Sequence, residues 1–444
     1  MKQPANWLAA SASELGQAIG AGEIDPRELV DAFLDAIDSH SDGSRIYARS
    51  TPDRARREAD QASRRVQEGR RLGLLDGVPI SWKDLFDTAG VATEAGSLLL
   101  QGRIPETDAV VLNNAWAHGL VCLGKTHQSE LAFSGLGYNP VTATPPCTLG
   151  PDSVPGGSSS GAAASVAFGL AAAAIGSDTG GSVRIPAAWN DLVGLKTTHG
   201  RLSLDGVVPL CRSFDTVGPL TRTVEDAAML LAILEGKPPV APLGAPLEGL
   251  KFLVPEHVVL DDIEEAPADA FDRSIRALER AGAVVESASL PEYADSLDLT
   301  PYLFAPEAYA EWKSVIEESP ELMFHQVLKR FRGGKQILAT DYIEGMRRLD
   351  DLRTSCMTRM EGYSAVLAPT SAILPPETDR LNSDPDYYAR ANLLALRNTR
   401  IINLLGHCAL TLPTGVPSCG LTLTGLPMAE EEILAIGATA ARII

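Results

Sequence analysis

Long apolar runs are missing from this 444-residue sequence. No uncharged apolar segment reaches the roughly 20 residues that a membrane-spanning helix needs. The longest candidate, Ala162 to Gly176, consists of alanine and other small residues and falls short. No positively charged, apolar leader opens the chain, since Met1 to Ala10 gives way to polar and acidic residues. A cytoplasmic protein without membrane contact is expected. Positive charge is also scarce. Lys and Arg number 38 against 57 Asp and Glu, for a net charge of −19 and a pI near 4.8. Such a field repels phosphate backbones, which argues against nucleic-acid binding by the chain alone. The six cysteines (122, 147, 211, 356, 408 and 419) are far apart and form no C-x-x-C pair. A small disulfide scaffold and a clustered zinc site are therefore excluded, and reduced, mostly buried thiols are expected. S-x-x-K, H-E-x-x-H and G-x-G-x-x-G are absent too, so no metal and no nucleotide cofactor is indicated.

What is present is an ordinary globular balance, 45% apolar and 21% charged, in a chain long enough to bury a large core. Residues 1–70 read as helical, with an amphipathic stretch from Ser11 to Ile19, a second from Pro26 to Asp38 capped by Asp25, and a charged one from Pro52 to Arg71. A turn at Leu74–Gly77 then feeds a short buried strand, Val78–Ser81. Beyond it, helical stretches (108–118, 160–172, 266–281) alternate with apolar strands (120–123, 250–254, 283–285, 365–369, 409–412). This alternation predicts an α/β fold with a mixed, mostly parallel twisted sheet covered by helices on both faces. The proline-rich stretch 237–247 reads as a surface linker between a core at 74–225 and a second half at 248–444. Strands of similar character on both sides favour one large domain over two.

Two glycine/serine clusters flank the small-residue helix: Gly156-Gly157-Ser158-Ser159-Ser160-Gly161 and Gly176-Ser177-Asp178-Thr179-Gly180-Gly181-Ser182. Flexible loops would have such a composition, but the opposite charges of Asp178 and Arg184 bracket the second cluster. Gly157–Gly161 also spells the G-x-S-x-G nucleophile elbow around Ser159. An elbow needs a strand before it and a partnered histidine later, and neither is evident. Gly119 to Thr126 spells a phosphate-binding loop, yet its middle residues are Leu, Val, Cys and Leu, a strand rather than an exposed cradle. Lys83 follows the buried strand and Trp82. Most lysines are solvated, so alone it would mean little.

Together these elements resemble the amidase signature family, in the stretch Gly77-Val78-Pro79-Ile80 through Lys83-Asp84-Leu85 and in both glycine/serine clusters. The spacings from Lys83 to Ser158 and from Ser158 to Ser182 are similar to the family's, and further likeness runs from Ile24 through Thr223 and resumes at 365–370 and 404–415. The resemblance implies a single amidase-signature domain and a triad of Ser182 as nucleophile, Ser158 as proton relay with a cis Gly157–Ser158 peptide, and Lys83 as base. Lysine can act as a base only when neutral, so its pKa must fall from about 10.4 toward roughly 7–8. Backbone N–H groups of Thr179, Gly180, Gly181 and Ser182 would hold the oxyanion, the glycines allowing substrate close to the backbone. Asp178 and Arg184 would pair to tether that loop. Substrate contacts are expected near Ala132 to Ser134 (Ala132 and Ser134 above all), around Tyr302 to Tyr309, and in Asn392 to Asn403. Departures from the family include Lys196-Thr197-Thr198 in place of Lys-Pro-Thr, and Trp82 and Trp189, which are expected to reshape the pocket.

The implied activity is hydrolysis of a small-molecule amide, ester or carbamate through a seryl acyl-enzyme, without a cofactor. The alternative is the glutamine-hydrolysing component of a tRNA-dependent amidotransferase, although Leu131 to Pro140 departs from the pattern associated with it. The partners expected are the small-molecule substrate and, at most, a second copy of the chain in a homodimer, with neither nucleic acid nor membrane.

Overall fold

A computed structural model describes residues 7–444; the first six residues of the expected 1–70 helical segment lie outside the described residues. That segment is not helical throughout: a short helix, Gly43–Ile46, leads into a strand, Tyr47–Ser50, that pairs antiparallel with Val121–Thr126, while the first two amphipathic helices start at side-chain caps. Ser11 and Glu14 make a reciprocal capping box ahead of Ala12–Gly20. Asp25 accepts from the Arg27 amide at the start of Pro26–Ser39, with Pro26 at its first position. The charged helix, Pro52–Gln67, stops short of Arg71 because Gly69 takes a left-handed conformation (φ 65°) that turns the chain away.

Eleven strands then form one sheet: β1 (Tyr47–Ser50), β2 (Pro79–Lys83), β3 (Val121–Thr126), β4 (Ala173–Ser177), β5 (Val193–Lys196), β6 (Val217–Thr221), β7 (Lys251–Pro255), β8 (Val284–Ala288), β9 (Ala365–Pro369), β10 (Cys408–Pro413) and β11 (Gly420–Gly425). Their spatial order is β1-β3-β2-β4-β6-β5-β10-β11-β9-β7-β8. Every residue of β2, β3, β4, β5, β6 and β9 is buried, as expected of central strands covered on both faces. The sheet is mixed, as anticipated, but it is not mostly parallel. Parallel pairing is confined to β3-β2-β4 and β9-β7-β8, and the centre from β4 through β9 is antiparallel throughout. A β10–β11 hairpin inserted between β5 and β9 accounts for three of these antiparallel pairs.

The sequence-predicted helix 160–172 is shorter than expected. It runs Ser160–Ala167, turns at Gly169 (φ 73°), and hands over to β4. A buried strand spelled Ala-Ala-Ile-Gly-Ser has no polar alternation to separate it from an alanine-rich helix. Residues 237–247 are irregular and largely exposed, in keeping with a surface linker. All six cysteines are free and buried. Among the described residues no helix is long and apolar enough to cross a membrane.

Candidate active site

Strands β2 and β4 are parallel neighbours, with Trp82 opposite Ile175, so their carboxyl ends deliver Lys83 and Ser177 to one edge of the sheet. Sites in α/β sheets form at such ends. Lys83 is wholly buried. Its Nζ donates to Ser158 Oγ at 2.6 Å and to Ser177 Oγ at 2.9 Å. Burial pulls the ammonium down to about 7, against the opposing pull of Asp178 and Asp215, which favour the charged form.

The two glycine/serine clusters come together over Lys83. The Gly157–Ser158 peptide is cis. Gly157 sits where no side chain fits, since a Cβ there would lie 2.5 Å from Ser129 Oγ and 2.6 Å from the Gly137 amide. The Ser159 N–H donates to the carbonyl of Ser182 at 3.2 Å, which fastens the second cluster beside the first. Ser159, the residue an elbow would have used, turns its hydroxyl to the Ser177 carbonyl. Ser182 is nearly buried and lines a cavity of about 260 Å³ together with Thr179 and Gly180.

Asp178 organises the loop between them. Its carboxylate accepts from the Gly181 amide (2.8 Å), the Val183 amide (3.1 Å), Arg184 Nε and Nη2 (3.1 and 3.0 Å) and Asn403 Nδ2 (2.9 Å). Both members of the Asp178–Arg184 pair are completely buried. Burial opposes ionisation of Asp178, but Arg184 beside it holds the carboxyl well below the ordinary carboxylate range. A second carboxylate, Asp215, accepts from Thr179 Oγ1 at 2.5 Å and from the amides of Leu210 and Cys211.

This geometry corrects one oxyanion assignment. The Gly181 N–H is engaged by Asp178 and is not free for a substrate oxygen. Glycine is required there for another reason, because at φ 135° a Cβ would fall 2.1 Å from Thr399 Oγ1. Gly180 is the position that opens to the cavity, where the atoms nearest to an added Cβ are 3.8 and 3.9 Å away on Leu396 and Arg400.

Ala132 and Ser134 line the cavity. Leu131 and Ala132 hold left-handed conformations (φ 44° and 59°) that are costly for residues with a Cβ and that bring this wall to the site. Ser134 Oγ is fixed by Tyr388 Oη and Asn392 Oδ1. From the second half, Phe304 and Ala305, and Leu393, Leu396 and Arg400, line the cavity within the two expected segments. Tyr302 does not. Leu210, Thr300 and Arg330 were not anticipated, nor was Ser177 as a partner of Lys83. The expectation that the tryptophans shape the pocket is also corrected. Trp82 packs edge-on against Phe86 in the core, and Trp189 is buried with its indole N–H on the Ile373 carbonyl. In the would-be phosphate loop, Lys125 is buried and bonded to Thr93 and Asp84. Among the described residues no group of three or more His, Cys, Asp or Glu is arranged to hold a metal ion.

The family model for Amidase matches residues 28–434. The chain belongs to the amidase signature family. It is 36% identical over 445 residues to a 2-amino-5-chloromuconic acid deaminase of Comamonas testosteroni, covering 96% of this chain and 95% of that protein. It is 33% identical over 463 residues to the A-type component of the glutamyl-tRNA(Gln) amidotransferase of Chloroflexus aurantiacus (strain J-10-fl), covering 95% and 93%. A crystal structure of an amidase superposes with a TM-score of 0.88 at 29% identity, covering 98% of this amidase and all of the other. The protein is a hydrolase acting on C–N amide bonds.

Proposed function

We propose that this amidase cleaves small-molecule amides, and related esters or carbamates, through a covalent acyl-enzyme on Ser182. The observation that carries the reading is the 2.6 Å hydrogen bond between Ser158 Oγ and a buried lysine whose pKa is drawn down to about 7. In the proposed sequence Ser182 Oγ attacks the amide carbonyl carbon, Ser158 takes its proton, and Ser158 passes its own proton to neutral Lys83 Nζ. The amide N–H groups of Thr179, Gly180 and Ser182 face the developing oxyanion. As the C–N bond breaks, Ser158 gives a proton to the departing amine and recovers one from Lys83. Water then adds to the Ser182 ester by the same relay, releasing the acid and restoring Ser182. When Lys83 is neutral, Ser177 accepts one of its N–H groups, and the lone pair is then available to accept from Ser158 across the same 2.6 Å contact in which the protonated amine donates.

A second reading is a glutamine-hydrolysing component of an amidotransferase, favoured by the likeness to the Chloroflexus aurantiacus protein. Two considerations favour the stand-alone hydrolase. The Comamonas testosteroni relative, a deaminase of an acid, matches at higher identity. The strongly acidic chain also has no evident attraction for tRNA. The test is hydrolysis of a panel of primary amides, anilides, esters and carbamates by the purified chain, with Ser182→Ala as blank. Turnover that vanishes in the variant supports the stand-alone hydrolase. Survival of turnover in Ser182→Ala refutes the nucleophile, and a chain that hydrolyses only glutamine, and only with a copurified partner, supports the second reading.

A further inference from the structure

Among the described residues, the cavity above Ser182 is lined by two guanidinium groups and no carboxylate. Arg330 enters from the helix His325–Gly333 and Arg400 from the helix Pro385–Leu404. Arg330 lies over the Phe133 ring, 4.3 Å from its centre, and donates Nη1 to the Phe133 carbonyl. Arg400 is only 6% exposed, and its Nη2 is buried with no hydrogen-bond partner. Thr300 Oγ1, in the same cavity, is likewise buried and without a partner. The charged group that chiefly influences Arg400 is Arg330, which repels it. Burial and that repulsion together pull its guanidinium down to about 9.

The buried Arg184, by contrast, has the Asp178 carboxylate against two of its nitrogens, although its Nη1 too lacks a partner. Buried charge without a counter-charge is costly, and a second like charge beside it adds to the cost. A pocket that keeps two such groups and an idle hydroxyl is incomplete without an anion. The planar, forked guanidinium matches a carboxylate, which can take two parallel N–H bonds. Apart from Ser134, Thr179 and Ser182, the rest of the lining, including Leu210, Phe304, Leu393 and Leu396, is apolar and suits a short hydrocarbon link. Arg400 Cγ lies 3.9 Å from the point where a Cβ on Gly180 would sit, so its stem runs beside the oxyanion loop. The volume of about 260 Å³ admits only a small molecule.

We infer that the acyl portion of the substrate ends in a carboxylate, bound by Arg400 and Arg330 with the Thr300 hydroxyl as a third donor, so that the preferred substrates are short monoamides of dicarboxylic acids. The identity of the cleaved bond rests on the amidohydrolase reading above, but the anion site does not. Its test therefore begins with binding. Malonamate, succinamate and glutaramate are titrated calorimetrically into Ser182→Ala protein, each against the neutral diamide of equal length. The acid is expected to bind roughly 10- to 100-fold more tightly than the diamide for at least one length, the size of effect that a charge-assisted hydrogen bond confers. The preference should vanish in Arg400→Met and shrink in Arg330→Met and Thr300→Val. Thermal unfolding of ligand-free Arg400→Met should occur at the same temperature as the parent or higher, because a repelled, unpartnered charge has been removed. A residue with a merely structural role would lower it.

Equal binding of acid and diamide at all three lengths overturns the inference, as does a preference that survives in the Arg400→Met/Arg330→Met double variant. Arg400→Lys keeps the charge without the fork and should retain only part of the preference. The two readings fail separately. Carboxylate binding that depends on Arg400, combined with turnover that survives in Ser182→Ala, would remove the proposed nucleophile and keep the anion site. Turnover that depends on Ser182 without any acid preference would do the reverse.

Discussion

Replacing Lys83 by methionine should inactivate the protein while making it more stable, and by an amount that depends on pH. Burial lowers the lysine from 10.5 to about 7, a displacement worth about 5 kcal/mol once the group is protonated in both folded and unfolded chains. Between those two values the unfolded chain holds a proton that the folded chain has given up, so this contribution to stability rises with pH across that window. Worked through, Lys83 costs the native state about 4 kcal/mol at pH 7 and about 2 kcal/mol at pH 9. Against this stand its bonds to Ser158 and Ser177, each worth about 1 kcal/mol net. Lys83→Met should accordingly be more stable than the parent by about 2 kcal/mol at pH 7, and nearly equal to it at pH 9. Urea unfolding of both proteins at the two pH values reads this difference directly, and subtraction cancels every other titrating group. In the parent, kcat/KM should fall tenfold per pH unit below about 7 and level off above, because only the neutral amine accepts a proton. A stability difference identical at both pH values would refute the reasoning, since it would mean that Lys83 keeps an ordinary pKa in the fold.

Three further outcomes follow from the same site. Ser177→Ala removes one acceptor from Lys83 and should lower kcat roughly 10- to 100-fold with KM little changed, the consequence of losing one oriented hydrogen bond to a charged group; steady-state kinetics check it. Arg184→Met leaves Asp178 buried without its counter-charge and should cost about 3–5 kcal/mol in urea unfolding, a typical penalty for breaking a buried pair. Gly181→Ala drives a methyl group to 2.1 Å from Thr399 Oγ1 at a φ that suits only glycine. It should cost about 1–3 kcal/mol of stability and most of kcat, and adding Thr399→Ala should restore only the steric share.

The legibility of the sequence was uneven, for physical reasons. Strands such as β9 and β10 announced themselves because buried apolar runs bounded by turns are unmistakable, whereas β4 hid within an alanine run. The mostly parallel sheet was expected because helices and strands alternate along the chain, yet alternation does not reveal that β10 and β11 insert as a hairpin between β5 and β9. Lys83, Ser158 and Ser182 could be singled out only through the resemblance of the Lys83 stretch and the two glycine/serine clusters to the amidase signature family, since a lysine after a buried strand and serines among glycines carry no assignment by themselves. Ser177 stood inside that cluster, and the signal that would have assigned it is its place at the end of a strand paired with β2. Arg330 carried no local signal, and Arg400 lay in the stretch 392–403 expected to contact substrate without anything to single it out. Each sits on a helix among other arginines, and only the fold places these two in the cavity over Ser182.

The electrostatics of the site depend on how its carboxylates are engaged. Both Asp178 and Asp215 act on Lys83 in the direction that would keep it protonated, yet both hold the loop that carries Ser182. The conflict is eased differently for each. The charge of Asp178 is shared with the Arg184 fork and Asn403, so its field at Lys83 is partly cancelled at the source. Asp215 pairs with no cation among the described residues; burial raises it to about 6 despite bonds from Thr179, Leu210 and Cys211, so it begins to lose its charge just below the pH at which Lys83 gains one. Burial of the lysine then outweighs what remains of the two anions. Arg184 thus does more than tether a loop: by neutralising Asp178 it lets a carboxylate organise the loop that carries Ser182 while burial still holds Lys83 well below its ordinary pKa, as the proposed base role requires.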